Sequence, residues 1–364
     1  MRRFFVVIAL AWTATAHGVI GKWIDAGTMI RPRMNHTAIL LRDGRVLIVG
    51  GVDANGLVLL AETFDPTTNT FRPAGILQHG QYKPTAFLLS DGSVLVAGSG
   101  YVERYQPELN AFVDALETGT STVGTLDGSP LLCRGCAGGC QFYRPPDLIT
   151  AQLAINSAGD AGVAALRDGS LLVAYGTVCD VYVPYSTNTA FRIDRAEKQH
   201  DVPTPDDPFG GRSRATAVAY DLNHVLIAGG TYLPSRYCQS HCQSIAYAST
   251  RIYDFAIDTI SAGPPMQFAR TSHIAQRLTD GRVLVAGGDN LVTALASAEI
   301  FDPSQGAFVR IADMPAPRTN AASVLLSDGR VFVAGGTPGT TADLHPNALI
   351  LDPTVARRQR TVRH

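Results

Sequence analysis

A nine-residue phrase recurs along the chain and limits what the chain can fold into. The phrase reads DGRVLIVGG at 43–51, DGRVLVAGG at 280–288 and DGRVFVAGG at 328–336. Glycine after aspartate suits a tight hairpin turn, and the apolar run that follows suits a strand that is covered on both faces. Since a repeated unit of this kind buries its faces against its neighbours, the phrase predicts an array of small β-sheets.

The phrase occurs in six clear copies and one degenerate copy. Aligned on the turn, five copies have Asp-Gly, near 43, 91, 168, 280 and 328, and one has Leu222-Asn223. The interval between the turns at 91 and 168 is too long for one unit, and it contains TLDGSPLLCRG at 125–135, which keeps Asp127-Gly128 but lacks the paired glycines. Counting this copy gives seven units of about 50 residues, whereas six units remain if the stretch is a disulfide-rich insertion.

Each unit has the pattern of four antiparallel strands. One strand leads into the turn, the apolar run forms the second, and a third ends at an Asp-Pro turn such as Asp65-Pro66. A fourth strand ends near an aromatic residue such as Phe71 or Phe308. The last unit has only three strands before a basic tail, and we expect residues 21–29, GKWIDAGTM, to supply the fourth.

This pattern resembles the kelch-repeat β-propellers of the bacterial kelch and galactose oxidase-like propeller superfamily. The resemblance rests on the glycine pairs that end the second strand, which are Gly50-Gly51, Gly229-Gly230, Gly287-Gly288 and Gly335-Gly336. It implies an all-β fold, a kelch-type propeller with seven blades of four antiparallel strands, or six blades as the alternative. The N-terminal strand would complete the last blade and close the ring, which removes exposed strand edges.

The amino terminus is typical of an exported protein. Two arginines precede an apolar run at 4–12 and the small residues Ala14-Thr15-Ala16, an order that predicts a signal peptide over 1–16 with cleavage after Ala16. The remainder is interpreted as one propeller domain, 17–355, followed by a basic tail, 356–364. No later run of the sequence is long enough to predict a transmembrane segment, and a formal net charge of -1 gives no attraction to nucleic acid. We expect a secreted or periplasmic monomer.

Six cysteines cluster in three consecutive units, in or beside the loops after the second strand. An even number of cysteines in an exported protein predicts disulfides, although the sequence leaves their connectivity open. A zinc or copper site that includes His241 is the alternative. The disulfide candidates are Cys133, Cys136, Cys140, Cys179, Cys238 and Cys242.

Two sets of polar residues recur on the face that carries the variable loops. Four units have arginine ten residues before the turn, and two units have histidine seven residues before it. We expect these side chains near the mouth of the central channel, where guanidinium groups bind carboxylates or sugar hydroxyls. The alternative is that they bond backbone carbonyls of the repeat itself. Together with residues of the long loop at 231–250, the candidate binding residues are Arg33, His36, Arg212, Arg270, His273, Arg318, Tyr232, Arg236 and His241.

The sequence favours a binding protein over an enzyme. Galactose oxidase, as the resemblance implies, holds copper with Tyr and His, but neither His36 nor His273 has a Tyr beside it, so copper-radical chemistry is not expected. No catalytic triad, carboxylate pair or phosphate-binding loop is recognisable. We therefore predict a non-catalytic protein- or glycan-binding scaffold without metal or cofactor. The alternative is an exported carbohydrate-processing enzyme, similar to a sugar mutarotase or a metal-dependent oxidase.

Overall fold

The computed structural model describes residues 20–117, 121–126, 129–133, 140–144, 147–151, 160–178, 185–206, 211–234 and 243–356. The predicted signal peptide and residues 357–364 of the predicted tail lie outside the described residues. Regular structure in these ranges consists of β-strands. None of the described residues belongs to a helix of the length and apolarity that crossing a bilayer requires.

The strands are short and follow one another along the whole described chain. In chain order they are β1 (Ile20–Thr28), β2 (Thr37–Leu40), β3 (Val46–Val49), β4 (Val52–Asp53), β5 (Gly56–Leu57), β6 (Leu60–Asp65), β7 (Thr70–Ile76), β8 (Thr85–Leu88), β9 (Val94–Gly98), β10 (Tyr101–Gln106), β11 (Ala111–Glu117), β12 (Ser121–Leu126), β13 (Ser129–Cys133), β14 (Cys140–Arg144), β15 (Asp147–Ala151), β16 (Gly162–Ala165), β17 (Leu171–Ala174), β18 (Thr177–Val178), β19 (Tyr185–Ser186), β20 (Ala190–Ile193), β21 (Gln199–Val202), β22 (Thr216–Ala219), β23 (His224–Ala228), β24 (Thr231–Tyr232), β25 (Ile245–Ala246), β26 (Thr250–Asp254), β27 (Thr259–Gly263), β28 (Ile274–Arg277), β29 (Val283–Ala286), β30 (Ala298–Asp302), β31 (Ala307–Arg310), β32 (Ala322–Leu325), β33 (Val331–Ala334) and β34 (Asn347–Ala356).

In the part of the chain that the structure describes, seven sheets each contain four antiparallel strands. We number them as blades 1 to 7, and their strand orders are β2-β3-β6-β7, β8-β9-β10-β11, β12-β13-β14-β15, β16-β17-β20-β21, β22-β23-β26-β27, β28-β29-β30-β31 and β32-β33-β34-β1. Three two-stranded ribbons, β4-β5, β18-β19 and β24-β25, extend from loops after the second strand. The prediction of an all-β propeller with blades of four antiparallel strands is confirmed.

The first strands of the blades lie around a central channel. β2 contacts β8 on one side and β32 on the other, β16 contacts β22, β22 contacts β28, and β28 contacts β32. β12 contacts both β9 and β16. β1 pairs with β34, with Trp23 opposite Leu351 and Ile24 opposite Ile350. The first and last described strands of the chain are therefore neighbours in blade 7.

The second strand of blade 1 is deeply buried, as its apolar sequence predicts. All four residues of β3 are buried. Ile48 packs in a cluster with Phe332 of blade 7, whereas Leu47 and Val49 pack with Val96 of blade 2. Alternate side chains of one strand thus contact two neighbouring blades, and this explains why both faces of the strand are apolar.

The Asp-Gly turns have the geometry that their sequence implies. Gly44 has a φ of 86°, and Asp43 accepts hydrogen bonds from the Arg45 backbone N–H at 3.0 Å and from Arg45 Nε at 2.8 Å. The same aspartate–arginine pair recurs in blade 6, where Arg282 Nε donates to Asp280 at 2.7 Å. Because the strands alternate in direction, these turns lie on one face of the ring, the turn face. The loops before the first strand and after the glycine pair lie on the opposite face, the variable face.

Candidate functional site

A polar cavity of about 280 Å³ lies at the channel mouth on the variable face. Six of its lining residues, which we call the mouth ring, hold equivalent positions just before the first strands of blades 1, 2, 4, 5, 6 and 7. All six have positive φ, between 47° and 56°. For residues other than glycine this conformation costs about 1–2 kcal/mol each, so its recurrence indicates a structural or functional purpose. The mouth ring consists of Asn35, Lys83, Asp160, Arg214, Ser272 and Asn320.

Backbone hydrogen bonds join members of the mouth ring from blade to blade. The N–H of Lys83 donates to the carbonyl of Asn35 at 3.0 Å, that of Asn35 to Asn320 at 3.0 Å, and that of Asn320 to Ser272 at 3.1 Å. On the other side of the ring, between the neighbouring blades 4 and 5, the N–H of Arg214 donates to the carbonyl of Asp160 at 2.7 Å. The left-handed conformation allows each backbone to reach its neighbour, and the ring is therefore a preorganised frame for its side chains.

The charged side chains of the mouth ring form a bridge across part of the channel mouth. Asp160 contacts Lys83 Nζ at 3.3 Å through Oδ1 and accepts a hydrogen bond from Arg214 Nε at 3.2 Å through Oδ2. Burial would raise the pKa of Asp160, but the charges of Lys83 and Arg214 outweigh this effect and lower the pKa. The three side chains remain partly exposed, at 37%, 30% and 40% for Lys83, Asp160 and Arg214. Two cations and one carboxylate therefore face the cavity together.

The four recurring arginines point into their own blades. Their side chains are 0–2% exposed, and each Nη1 donates to the carbonyl of the first glycine of the pair in the same blade. The bonds are Arg33 to Gly50 at 3.2 Å, Arg212 to Gly229 at 3.1 Å, Arg270 to Gly287 at 2.7 Å and Arg318 to Gly335 at 2.8 Å. The geometry thus corresponds to the structural alternative of the sequence analysis and not to ligand binding, because no guanidinium reaches solvent.

Two of these arginines also pair with a buried carboxylate. Arg33 Nη2 lies 2.6 Å from Glu62, and Arg270 Nη2 lies 2.8 Å from Glu299, with both partners of each pair fully buried. Glu299 also accepts a hydrogen bond from the backbone N–H of Gln267 at 2.8 Å. The arginine therefore connects the loop before the first strand to the second and third strands of its blade.

The two recurring histidines line the wall of the channel-mouth cavity but are largely withdrawn from solvent. His36 and His273 are each 7% exposed, and His273 Nε2 lies 2.9 Å from Thr216 Oγ1 of the neighbouring blade. Burial, together with the nearby charges of Arg33 and Arg270, lowers the pKa of both imidazoles to about 3. Both rings are therefore neutral at physiological pH.

Replacing His273 with glutamine is expected to weaken the pH dependence of stability between pH 7 and pH 5. Burial lowers the folded-state pKa of His273 to about 3 from its usual value of 6.5. The unfolded state therefore binds more protons than the folded state in this interval, and the protein becomes less stable as the pH decreases from 7 to 5. One such imidazole accounts for about 2 kcal/mol across this interval. Urea unfolding of both proteins at the two pH values measures the difference, and an unchanged pH dependence would contradict the burial of a neutral imidazole.

The remaining sequence candidates lie away from the channel-mouth cavity or outside the described residues. Tyr232 lies in β24, opposite Ile245 of β25. Arg236 and His241 lie outside the described residues, as do four of the cysteines. Cys133 and Cys140 lie opposite each other in β13 and β14, but their side chains are not among those described. The cysteines outside the described residues are Cys136, Cys179, Cys238 and Cys242.

The mouth ring was missed in the sequence, although the sequence contains a signal for it. Each member stands two residues after the position that holds arginine in four of the units, and all six members are polar. A polar residue at one position of six of the seven units, close to a position with a structural role, indicates a surface that the repeat does not need for its own packing.

The sequence of blade 6 matches the family model of the kelch motif over residues 278–315. The sheets described above thus form a β-propeller in which one repeat is similar to the kelch motif. No curated protein matches the chain in sequence.

The propeller is similar in fold to a fungal alcohol oxidase of the AA5 family that was determined in complex with copper. The likeness has a TM-score of 0.69 at 15% sequence identity and covers 93% of this chain and 76% of the oxidase chain. At this identity the likeness concerns the fold alone.

The described residues at the channel mouth do not fit a copper site. Asp160 is held by two cations, whose positive charge opposes a metal ion in the same space. The imidazoles of His36 and His273 are buried in the wall. Within the ranges that the structure describes, no three His, Cys, Asp or Glu side chains are grouped as metal ligands. The likeness in fold therefore gives no reason to assign a copper site to the described residues of the channel mouth.

Proposed function

We propose that this kelch-repeat propeller is an exported, non-catalytic binding protein. In this proposal its seven sheets act as one ring closed by β1, and its variable face holds a glycan or a protein segment. The observation that carries the proposal is the channel-mouth cavity, in which side chains of six blades meet on a frame of inter-blade hydrogen bonds. Polar groups that are held in place before binding reduce the entropy that a ligand must lose, which favours recognition.

The protonation states of the lining residues argue against acid–base catalysis. A general acid or base works best with a pKa near the operating pH. The pKa of His36 and His273 lies near 3. Burial raises the pKa of Asp160, but Lys83 and Arg214 lower it by more, so the net shift is downward. At neutral pH the cavity thus offers a paired carboxylate, two cations and neutral amides, which are groups that bind.

A second candidate, an exported carbohydrate-processing enzyme, is favoured by one observation. The same cavity brings together two imidazoles, a carboxylate and a guanidinium, which are the residue types of many active sites. We rank this candidate second because the imidazoles and the carboxylate are poor proton acceptors at neutral pH, for the reasons given above.

Filling the channel-mouth cavity is expected to abolish binding. Ala161 lines the cavity, and tryptophan at this position would occupy the space that a ligand needs. The full chain, the Ala161→Trp variant and a Thr279→Trp control would be screened on glycan and peptide arrays. Thr279 lines a cavity on the turn face, so the control introduces the same side chain on the opposite face of the ring.

We expect the full chain and the Thr279→Trp control to bind the same compounds, and the Ala161→Trp variant to lose them while it unfolds at the same temperature. Binding that survives in Ala161→Trp would contradict a site at the channel mouth, and an empty array for every protein would contradict the binding role. Conversion of a bound sugar into another species, followed by NMR, would overturn the non-catalytic assignment in favour of the enzyme.

A further inference from the structure

We infer that the ligand unit in the channel-mouth cavity is a sugar acid, a single monosaccharide whose carboxylate lies between Lys83 and Arg214. This inference rests on the proposed function and names the chemistry of its ligand. The carboxylate belongs either to a free hexuronate or to the terminal residue of a glycan, since both present the same group to the mouth.

Charge is the first argument. Among the described lining residues, Lys83 and Arg214 carry positive charge and Asp160 carries negative charge, while His36 and His273 are neutral. One positive charge is thus left without a partner in a recess that is partly shielded from water. A recess of this kind selects a monoanion, because a neutral ligand leaves the charge unpaired and a cation adds to it.

The guanidinium of Arg214 also favours a carboxylate ligand. Arg214 uses Nε to hold Asp160, and in the part of the chain that the structure describes its two Nη atoms have no hydrogen-bond acceptor. Asp160 is therefore a positioning residue that fixes the plane of the guanidinium. The two free Nη groups form the planar fork that binds a carboxylate through two parallel hydrogen bonds.

The neutral half of the mouth ring favours a ligand with hydroxyl groups. Asn35, Ser272 and Asn320 line the side of the cavity that holds no charged member of the ring, and among the described residues their side chains have no hydrogen-bond partner. Asn35 is 7% exposed overall, but its amide lines the cavity and is not closed off from solvent, so it is available to a ligand. Amide and hydroxyl groups both donate and accept hydrogen bonds, as sugar hydroxyls do.

Size and polarity separate a sugar acid from other anions. The volume of about 280 Å³ lies just below the range of about 300–1,000 Å³ for drug-sized ligands, so the cavity itself suits one monosaccharide. An aspartate or glutamate side chain carries only methylene groups beside its carboxylate, so it offers Asn35 and Asn320 no hydroxyl partners as a sugar does. A phosphate dianion would exceed the single unpaired positive charge.

Calorimetric titration with galacturonate, glucuronate, galactose and glucose tests this inference. We expect the uronates to bind saturably, with affinity that falls as salt is added, and the neutral sugars to bind more weakly by about 10- to 100-fold, the contribution of hydrogen bonds to a charged group. A methyl glycoside of galacturonate distinguishes a free ligand from a terminal residue: binding of the glycoside as tight as that of the free acid indicates a glycan end.

Two variants and one control locate the carboxylate. Arg214→Gln and Lys83→Gln should each weaken uronate binding, Arg214→Gln by about 10- to 100-fold. Arg282→Gln is the matched control, since Arg282 also holds an aspartate through Nε but lies on the turn face, and it should bind as the unaltered chain does. Asp160→Asn removes the competing negative charge but keeps a side-chain oxygen that can accept the bond from Arg214 Nε, so it should tighten uronate binding by about two- to fivefold.

The outcomes distinguish this inference from the proposed function. Equal binding of neutral sugars and uronates, or weaker uronate binding by Asp160→Asn together with full binding by Arg214→Gln, would overturn the sugar acid. The binding role would survive that result if Ala161→Trp still lost its array ligands. Selective binding of acidic peptides and not of uronates would likewise overturn the inference and replace the glycan with a protein partner.

Discussion

Replacing Arg270 with methionine is expected to lower the free energy of unfolding by about 3–5 kcal/mol, the range for breaking a buried ion pair from one side. Methionine fills similar space but leaves the carboxylate of Glu299 buried without its cation, since both side chains are 0% exposed. The carbonyls of Gly287 and Ser297, which accept bonds from Arg270 Nη1 at 2.7 and 3.1 Å, also lose a donor. The loss is large because water cannot reach the groups that are left unpaired.

Urea unfolding of the variant and two companions measures this effect. Arg282→Met breaks an exposed aspartate–arginine pair of the turn face and should change stability by less than about 0.5 kcal/mol. The double variant Arg270→Met/Glu299→Leu removes the buried charge altogether, so it should recover part of the loss. If the free energy of unfolding of Arg270→Met were within about 1 kcal/mol of that of the unaltered chain, the buried pair would contribute little to the stability of the blade.

The blade could be predicted from the sequence because its signals are local. The Asp-Gly turn, the apolar run and the glycine pair all lie within nine residues, and each indicates one element of the hairpin. The structure places β3 with both faces covered, as the run Val46–Val49 predicts. Six of the units are clear copies of one another, so one correct interpretation applies to each of them.

The candidate site was harder to predict because it depends on direction and on distant pairs. The sequence places Arg33 and His36 near the channel mouth, but it does not say which way their side chains point. Only the structure shows that the Arg33 guanidinium turns toward the Gly50 carbonyl. Lys83 and Asp160, 77 residues apart in the chain, meet because the ring brings their blades to one axis, and no repeat pattern encodes that contact.

The glycine pair has both a local role within its blade and a contact with the next blade. The pair was the mark of the repeat in the sequence, and in the structure it also accepts the hydrogen bond of the buried arginine and lies against the next blade. The first glycine of blade 7, Gly335, bonds to Arg318 of its own blade and packs on the backbone of Arg33 in blade 1. This residue thus lies at the junction between the last and the first blade.

Replacing Gly335 with alanine is therefore expected to destabilise the protein by about 2–5 kcal/mol. The residue has a φ of 61°, which costs alanine about 1–2 kcal/mol, and its new Cβ would overlap the carbonyl oxygen of Arg33. That carbonyl cannot move freely, because it accepts a hydrogen bond from Gly336 N–H at 3.0 Å. Overpacking at such a contact adds about 1–3 kcal/mol.

Gly306→Ala separates the two causes. Gly306 has nearly the same φ, 59°, but a Cβ at this position would meet nothing within 4 Å. Its substitution should therefore cost only the conformational strain of about 1–2 kcal/mol. The difference between the two variants in urea unfolding measures the contact between blade 7 and blade 1. Equal losses would mean that backbone conformation, and not the approach of the next blade, is the reason for glycine at this position of the repeat.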